Sequence, residues 1–337
     1  MKPTQFALLN EQAILAAEGI LPMLPAHLDH GQVALANDTM LAEAYWSEEL
    51  TGYSVGWKDQ RNIEETLDFC APPVPVNRLF RYTEFTHAEA FLEEPNDEDI
   101  RAMNADFKTV KPYTETKTNA ETENKGLTII LDLDRVLQKP NWRQRYTGKL
   151  TERLLRTELR RAVALISAAA TNTAVTWDTT AGKDPDQDIK TGLLAGETAS
   201  GIYPNRVCYG ATAWNKRGLS HRAQNLAGGY ASAGQTPAQV AAFLGVDAVH
   251  VSSQRYRTSA SALAELVNNL VFGCYCTTGV DEDDPANCKR FFTPTEGGTK
   301  YRVYEQQLSA KLYAITVEHY SLVKITSTLG LRKWTVS

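Results

Sequence analysis

The sequence predicts an α+β fold built around one unusually long helix. The segment LTERLLRTELRRAVALISAAATN, at 150–172, has apolar residues at helical spacing and contains neither Gly nor Pro. Strand-like segments lie on both sides of it and are far apart in the chain, without the regular strand–helix alternation of a parallel α/β sheet. A long polar stretch, FKTVKPYTETKTNAETENK, separates two of these segments.

The composition is that of a globular protein with a substantial core. The chain has 337 residues, of which 43% are hydrophobic and 22% charged, and a length that suggests about two domains. Its net charge of -5 argues against a strongly basic nucleic-acid-binding protein. Apolar runs near the long helix are far shorter than the roughly 20 residues that span a bilayer, and the N-terminus makes a poor secretion signal. We therefore expect no membrane partner, and the few cysteines indicate synthesis in a reducing cytoplasm.

The segment ahead of the long helix predicts an extended hairpin at 71–131. Residues 1–70 are predicted to form helices and extended segments, and the Pro-rich CAPPVPVNRLFRYTEF that follows cannot be helical. Beyond the polar stretch, GLTIILDLDRVL alternates like a half-buried strand. Two strand-like flanks around a polar tip favour an ordered arm, and a disordered surface loop is the alternative.

The long helix itself is predicted at about 148–172. Its length of roughly 35 Å far exceeds that of an average helix of about 11–12 residues. We therefore predict a spine that crosses the whole subunit, with Arg156 and Arg160 on an exposed or intersubunit face and the Ala-rich end packed against neighbouring backbone. The predicted apolar stripe consists of Leu150, Leu154, Leu155, Leu159, Val163, Ile166 and Ala170.

The rest of the chain contains short helices and strands. We predict helices at about 189–199, at about 213–224 and in TPAQVAAFLGV, where Thr236 is the N-cap and Pro237 begins the helix. NRVCYG, AVHVSS and NNLVFGCYC are predicted strands, and the C-terminal LYAITVEHYSLVKITSTLGLRKWTV is rich in β structure. Residues 279–300 are expected to form a polar, acidic loop.

Few residues indicate chemistry. Asp132 and Asp134 would share one face of a strand, which could serve an α+β hydrolase, although such a face is usually only solvated. Cys274, Cys276 and Cys288 lack the fourth ligand of a zinc site, so we expect neither metal nor disulfide, with Cys274 and Cys276 on opposite faces of one strand. The sequence contains no nucleophile elbow, Walker loop or dinucleotide fingerprint, and we expect no catalytic residues and no cofactor.

The order and spacing of these segments resemble a known family. The spine followed by TWDTTAGKDPDQDI, YPNRVCYGATAWNKRGLSHRA and TPAQVAAFLGVDAVHVSSQRY is similar to the major capsid proteins of tailed bacteriophages, which have the Hong Kong 97-like fold. The similarity extends to PPVPVNRLFRY and GLTIILDLDRV ahead of the spine and to ITVEHYSLVKI near the end. It covers most of the chain from about residue 70 onward, and it rests on the whole set of segments rather than on one short motif.

The resemblance implies a domain organisation. It places an N-terminal arm at 1–70, an extended loop at 71–131, and a peripheral domain at 132–200 and 301–337 that includes the spine helix at about 148–172. An axial domain would occupy 201–300.

The resemblance also implies a non-enzymatic shell protein. Such proteins assemble as pentamers and hexamers into an icosahedral capsid that encloses double-stranded DNA, and this chain would then be part of a virion assembled in the host cytoplasm. A separate scaffold, a portal and cement or decoration proteins are the further partners implied, with DNA contacted non-specifically. The alternatives are a nanocompartment shell of the same fold that holds a protein cargo, and the hydrolase that uses Asp132 and Asp134.

Charged residues of the hairpin and the spine are candidate contacts between subunits. The polar tip has too little apolar surface to fold onto its own subunit, so its charges are expected to pair across a subunit boundary. Exposed pairs of this kind contribute about 0–1 kcal/mol each and would mainly set register. The candidate residues are Lys108, Lys111, Glu115, Lys117, Glu121, Glu123, Lys125, Arg156 and Arg160.

Overall fold

A computed structural model describes residues 45–59, 61–85, 101, 103, 106, 116–224, 228–277, 285–295 and 298–337, and within them the chain has the predicted α+β character. The helices are α1 (Glu48–Gly56), α2 (Ile63–Cys70), α3 (Leu133–Val136), α4 (Trp142–Ala169), α5 (Pro185–Ser200), α6 (Ala211–Ala223), α7 (Gly229–Ala233) and α8 (Pro237–Leu244). The strands are β1 (Pro73–Pro75), β2 (Leu79–Glu84), β3 (Thr116–Glu121), β4 (Glu123–Asp132), β5 (Thr171–Val175), β6 (Arg206–Gly210), β7 (Ala248–Ser252), β8 (Arg255–Arg257), β9 (Leu263–Glu265), β10 (Leu270–Cys274), β11 (Cys288–Thr293), β12 (Arg302–Gln307), β13 (Leu312–Ile325) and β14 (Arg332–Val336). None of the described helices combines the length and the hydropathy needed to cross a bilayer.

One sheet is organised around β13, a strand of 14 residues. Its order is β1–β11–β13–β12, and β4 pairs with β13 along the opposite edge. The pairs that involve β13 are antiparallel, whereas β1 runs parallel to β11. Strands β2 and β3 pair antiparallel on either side of 86–115. The strand that returns to β2 therefore lies in the stretch predicted to be a polar tip, whereas the predicted returning strand GLTIILDL belongs mainly to β4, which pairs with β13.

A second sheet has the order β5–β14–β10–β6–β7. Its core includes Trp334, Tyr209 and Leu193, which are buried together. Two of its strands, β5 and β14, come from the ranges that the resemblance assigns to a peripheral domain. The second sheet thus combines strands from the ranges predicted as the peripheral domain with strands from the range predicted as the axial domain.

The expectation of a polar loop over 279–300 is wrong at its centre. The segment CKRFFT forms β11, which lies between β1 and β13 in the first sheet. Phe291 of this strand is buried against Phe80 and Tyr82 of the hairpin. The adjacent Lys289 and Arg290 gave the segment its polar character in the sequence, yet both are buried too.

The spine helix α4 begins earlier than predicted, at Trp142, and ends at Ala169. Gly148 was taken as its boundary but lies inside the helix, where Trp57 packs over it. A Cβ atom at 148 would lie 2.7 Å from Trp57 Nε1, so glycine here serves close packing. The Ala-rich end is only half enclosed, since Ala162 is buried and Ala164 is exposed.

Part of the predicted N-terminal arm belongs to the core. Helices α1 and α2 pack against the spine helix, and Leu50, Ile63 and Leu67 are each at most 1% exposed. These side chains share one hydrophobic cluster with Leu155 and Leu159 of the spine. The spine is therefore enclosed by the first sheet on one side and by α1 and α2 on another.

Two helical glycines provide a test of this packing. A Cβ atom at Gly192 of α5 would lie 2.5 Å from the ring of buried Trp334, whereas Gly52 of α1 has nothing within 4 Å. We expect Gly192→Ala to lower the free energy of unfolding by about 1–3 kcal/mol, because overpacking outweighs the gain in helix propensity. Gly52→Ala should raise it by up to about 1 kcal/mol. Denaturant titration measures both, and equal effects would contradict the packing described.

Candidate assembly surfaces and a buried charge network

The candidate intersubunit charges occupy different environments. Lys108, Lys111 and Glu115 lie outside the described residues. On the hairpin, Lys117 is exposed, and Glu121 forms a salt bridge of 3.1 Å with Arg78 at the exposed base.

Lys125 is enclosed within its own chain. Its Nζ donates to the carbonyl oxygen of Ser321 at 2.8 Å and lies 3.5 Å from a carboxylate oxygen of Glu123. Burial lowers the pKa of Lys125, although nearby carboxylates act in the opposite direction. Only 9% of this side chain is exposed, so it has little surface to offer a neighbouring subunit. The contacts of the hairpin charges with another subunit remain a prediction.

Arg156 and Arg160 lie on the solvent side of the spine, as expected. Arg160 is exposed and sits over the ring of Tyr256 at 5.7 Å. Arg156 is half-buried and forms a salt bridge of 2.6 Å with Glu152. The same carboxylate forms a salt bridge of 3.2 Å with Arg61. These side chains therefore belong to an open charged face of the helix.

Asp132 and Asp134 do not form a carboxylate pair on one strand face. Strand β4 ends at Asp132, whose side chain accepts from the backbone N–H of Asp134 and caps α3. Asp134 forms an exposed salt bridge with Lys311 at 2.8 Å. The prediction failed because the alternating pattern continues past the true end of the strand into a helical turn.

The cysteines form a buried thiol cluster. All five are free and at most 1% exposed, and they share the core that surrounds the spine. Cys274 and Cys276 were expected on opposite faces of a strand, which is wrong because residues two apart point the same way. A hydrogen bond with Cys276 and burial raise the pKa of Cys274 well above its usual value. Within the described residues, no group of three or more His, Cys, Asp or Glu side chains could hold a metal ion.

A charge network that no sequence pattern indicated lies beneath the spine. Glu158 is 2% exposed and accepts hydrogen bonds from His319 Nε2 at 3.0 Å and from Ser321 Oγ on β13. Arg290 of β11 lies 3.5 Å from the other carboxylate oxygen of Glu158 and bonds Asp68 of α2 at 2.7 Å. One buried carboxylate thus connects the spine, two strands of the first sheet and α2.

The partners of Glu158 keep it ionised. Burial alone would raise its pKa, but His319, Arg290 and Ser321 outweigh burial and lower the pKa to about 2. A buried carboxylate in this state needs its cation, because breaking a buried pair leaves an uncompensated charge.

A similar network lies next to the second sheet. Arg217 of α6 binds Asp186 of α5 through two hydrogen bonds of 2.6 and 2.7 Å, and His221 contacts the same carboxylate at 3.2 Å. Burial would raise the pKa of Asp186, but His221 and Arg217 lower it. Both networks therefore hold neighbouring elements together through buried ion pairs.

One exposed apolar surface lies on the first sheet. Ile130 of β4 is 59% exposed and Leu312 of β13 is 41% exposed. Ile130 pairs with Ala314 and Leu312 with Asp132, so both apolar side chains point to the same face. This face is opposite to the one from which His319 contacts the spine. The edge of β4 away from β13 pairs with no other strand in the described part of the chain.

Comparison with known proteins gives a clear result for the fold. No protein-family profile and no curated protein matches the sequence. Among solved structures, a phage-related protein from Bordetella bronchiseptica RB50 is similar over 86% of this chain and 97% of its own, with a TM-score of 0.63 and 14% identity. The putative capsid protein of a prophage of E. coli CFT073 is similar over 87% of this chain and 99% of its own, with a TM-score of 0.46 and 10% identity. The assignment of the fold rests on the first of these structures, which has the higher TM-score. The chain has the α+β, Hong Kong 97-like fold.

The Glu158 network can be tested by removing its charge. We expect Glu158→Gln to lower the free energy of unfolding by about 3–5 kcal/mol, because Arg290 loses a buried counter-charge. Glu121→Gln, at an exposed pair, should change it by less than about 1 kcal/mol. Chemical denaturation compares the two, and equal losses would mean that burial does not matter here.

The same network predicts a pH dependence. The pKa of Glu158 is lowered from 4.5 to about 2 on folding, so the folded chain binds fewer protons than the unfolded chain between these values. Its contribution to stability is present above pH 4.5 and is lost as the pH falls towards 2. We therefore expect the free energy of unfolding to fall less steeply with acid in Glu158→Gln than in wild type. Parallel curves in urea titrations from pH 6 to about pH 3 would contradict this.

Proposed function

We propose that this chain is the major capsid protein of a tailed bacteriophage, which self-assembles as pentamers and hexamers into an icosahedral shell around double-stranded DNA. The observation that supports this proposal most is the share of the chain over which the structural similarity extends. The structural similarity to a phage-related protein extends over 86% of this chain and 97% of that protein. The chain would be part of the virion and would assemble in the host cytoplasm.

Surfaces of the subunit support self-association. The hairpin β2–β3 forms a two-stranded sheet, which is marginal in water unless it packs against something else. Phe291 packs against Phe80 and Tyr82 of the hairpin, while Leu79 at the base of the hairpin is 73% exposed. The apolar face around Ile130 and Leu312, beside the open edge of β4, is a second surface that another subunit could cover.

The proposed role is structural and not enzymatic. The residues best suited to acid–base chemistry are engaged in packing, since Glu158 and Asp186 are buried in ion pairs. Asp132 and Asp134 serve as a helix cap and a surface salt bridge. A scaffold, a portal and decoration proteins are further partners of such a shell in this proposal.

Electron microscopy and light scattering of the purified full chain test the proposal. We expect closed particles of megadalton mass, built from pentamers and hexamers, when the chain is expressed with its neighbouring head genes. Monomers or dimers under these conditions would contradict a shell role. Particles that hold protein and no nuclease-protected DNA would instead support a nanocompartment shell.

A single substitution tests the apolar face. We expect Ile130→Asp to leave the subunit folded, because the side chain is already exposed, and to reduce the yield of particles by tenfold or more. Ile130→Val keeps an apolar surface and serves as the matched control. The fraction of protein in particles, measured by sedimentation, and the melting temperature separate assembly from folding. Normal particle yield from Ile130→Asp would show that this face is not an interface.

A further inference from the structure

Cations are concentrated along one face of the spine helix. Arg145, Lys149, Arg153, Arg156 and Arg160 follow one another at intervals of three or four residues and form a continuous row on one side of α4. All are exposed except Arg156, which is half-buried. The row extends about 22 Å at 1.5 Å per residue. This arrangement contrasts with the chain as a whole, whose net charge is -5.

Two adjoining clefts open beside this row, and we call them together the basic groove. One of 540 Å³ is bordered by Arg61, Arg145 and Lys149, and the other of 430 Å³ by Arg61, Arg156 and Arg255. Arg61 therefore borders both clefts.

The basic groove has a surplus of positive charge. The residues that border it include five cations and one carboxylate, Glu152. Arg255 also forms a salt bridge of 2.9 Å with Glu265, so the surplus lies mainly at Arg145 and Lys149. Glu152 is shared between Arg61 and Arg156, so it cannot neutralise the groove. Burial lowers the pKa of His250, which also borders the second cleft and is therefore neutral near pH 7.

Aromatic side chains hold several of these cations in place. Lys149 Nζ lies 5.0 Å from the ring of Tyr146, and the Arg160 guanidinium lies 5.7 Å from that of Tyr256. Trp57, which borders the first cleft, is held against the spine at Gly148. Cation–π contacts of this kind reduce the freedom of the cations before any ligand arrives.

We propose that the basic groove binds the phosphodiester backbone of the nucleic acid that the shell encloses. The inference rests on the proposed capsid function, and it places this face of the spine towards the interior. A row of about 22 Å passes roughly six phosphates of one strand, since successive phosphates rise by 3.4 Å. Four of the five cations in the row are arginines, whose planar guanidinium matches phosphate oxygens in pairs. No base edge is read, so binding is independent of sequence.

A matched pair of triple variants tests the proposal. The groove variant combines Arg61→Glu, Arg145→Glu and Lys149→Glu, which reverse three cations that border the basic groove. Arg135→Glu, Arg222→Glu and Lys324→Glu change the net charge by the same amount at exposed positions away from the groove. Binding of a 20-base-pair duplex to the full chain is measured by fluorescence anisotropy at several salt concentrations.

We expect the groove variant to bind the duplex at least tenfold more weakly than the control variant. The slope of log K against log salt should fall by about 2.7 in magnitude if three phosphate contacts are lost. If both variants bind the duplex equally weakly, the loss of binding is an effect of net charge alone and the proposal is overturned. Unchanged binding by the groove variant would also overturn it. If that variant binds DNA normally but forms no particles, the groove is a contact between subunits instead.

Particle formation is measured separately on the same proteins. Absence of particles when the wild-type chain is expressed with its neighbouring head genes would contradict the capsid function, whatever the affinity for the duplex. Normal particles together with unweakened duplex binding by the groove variant would contradict only the groove. Melting temperatures of both variants confirm that they fold.

Discussion

The packing of the spine helix on the first sheet depends on the burial of Glu158 between them. A carboxylate that is 2% exposed is stable only if charged and hydrogen-bonding partners surround it. Here those partners come from β11, β13 and, through Arg290, from Asp68 of α2. Because directional contacts fix distance and angle, the network sets how the helix lies on the sheet. Apolar packing by Leu155 and Leu159 then supplies most of the favourable free energy.

The same arrangement explains how a long helix can be stable with one side exposed to solvent. The spine buries leucines against α1 and α2 on one side and contacts β13 on another, which leaves a third side for solvent. Gly148 allows Trp57 to lie directly on the helix, so α1 is held close. The exposed side carries Arg145, Lys149 and Arg153, which keep it soluble and separate the positive charge from the acidic remainder of the chain.

Local sequence patterns predicted the elements well where one face is apolar. The stripe of the spine, the N-cap at Thr236 and the alternation in β4 all depend on spacing within one segment. The partners of Glu158, in contrast, lie 132 to 163 residues away. In the sequence Glu158 therefore resembles a surface residue that pairs with Arg161. Strand β11 was missed for the same reason, since Lys289 and Arg290 look solvated until their distant partners are known.

The net charge of the chain is a poor guide to its binding surfaces, because charge is distributed unevenly over the surface. A net charge of -5 averages over the whole chain, whereas a phosphate responds to charges within about one Debye length of roughly 8–10 Å. Around Arg61, the basic groove is bordered mainly by cations. The proposed shell would repel DNA weakly overall and still hold it locally. In that proposal, weak overall repulsion keeps packaged DNA mobile, and local cations, repeated in every subunit, order the layer of DNA next to the shell.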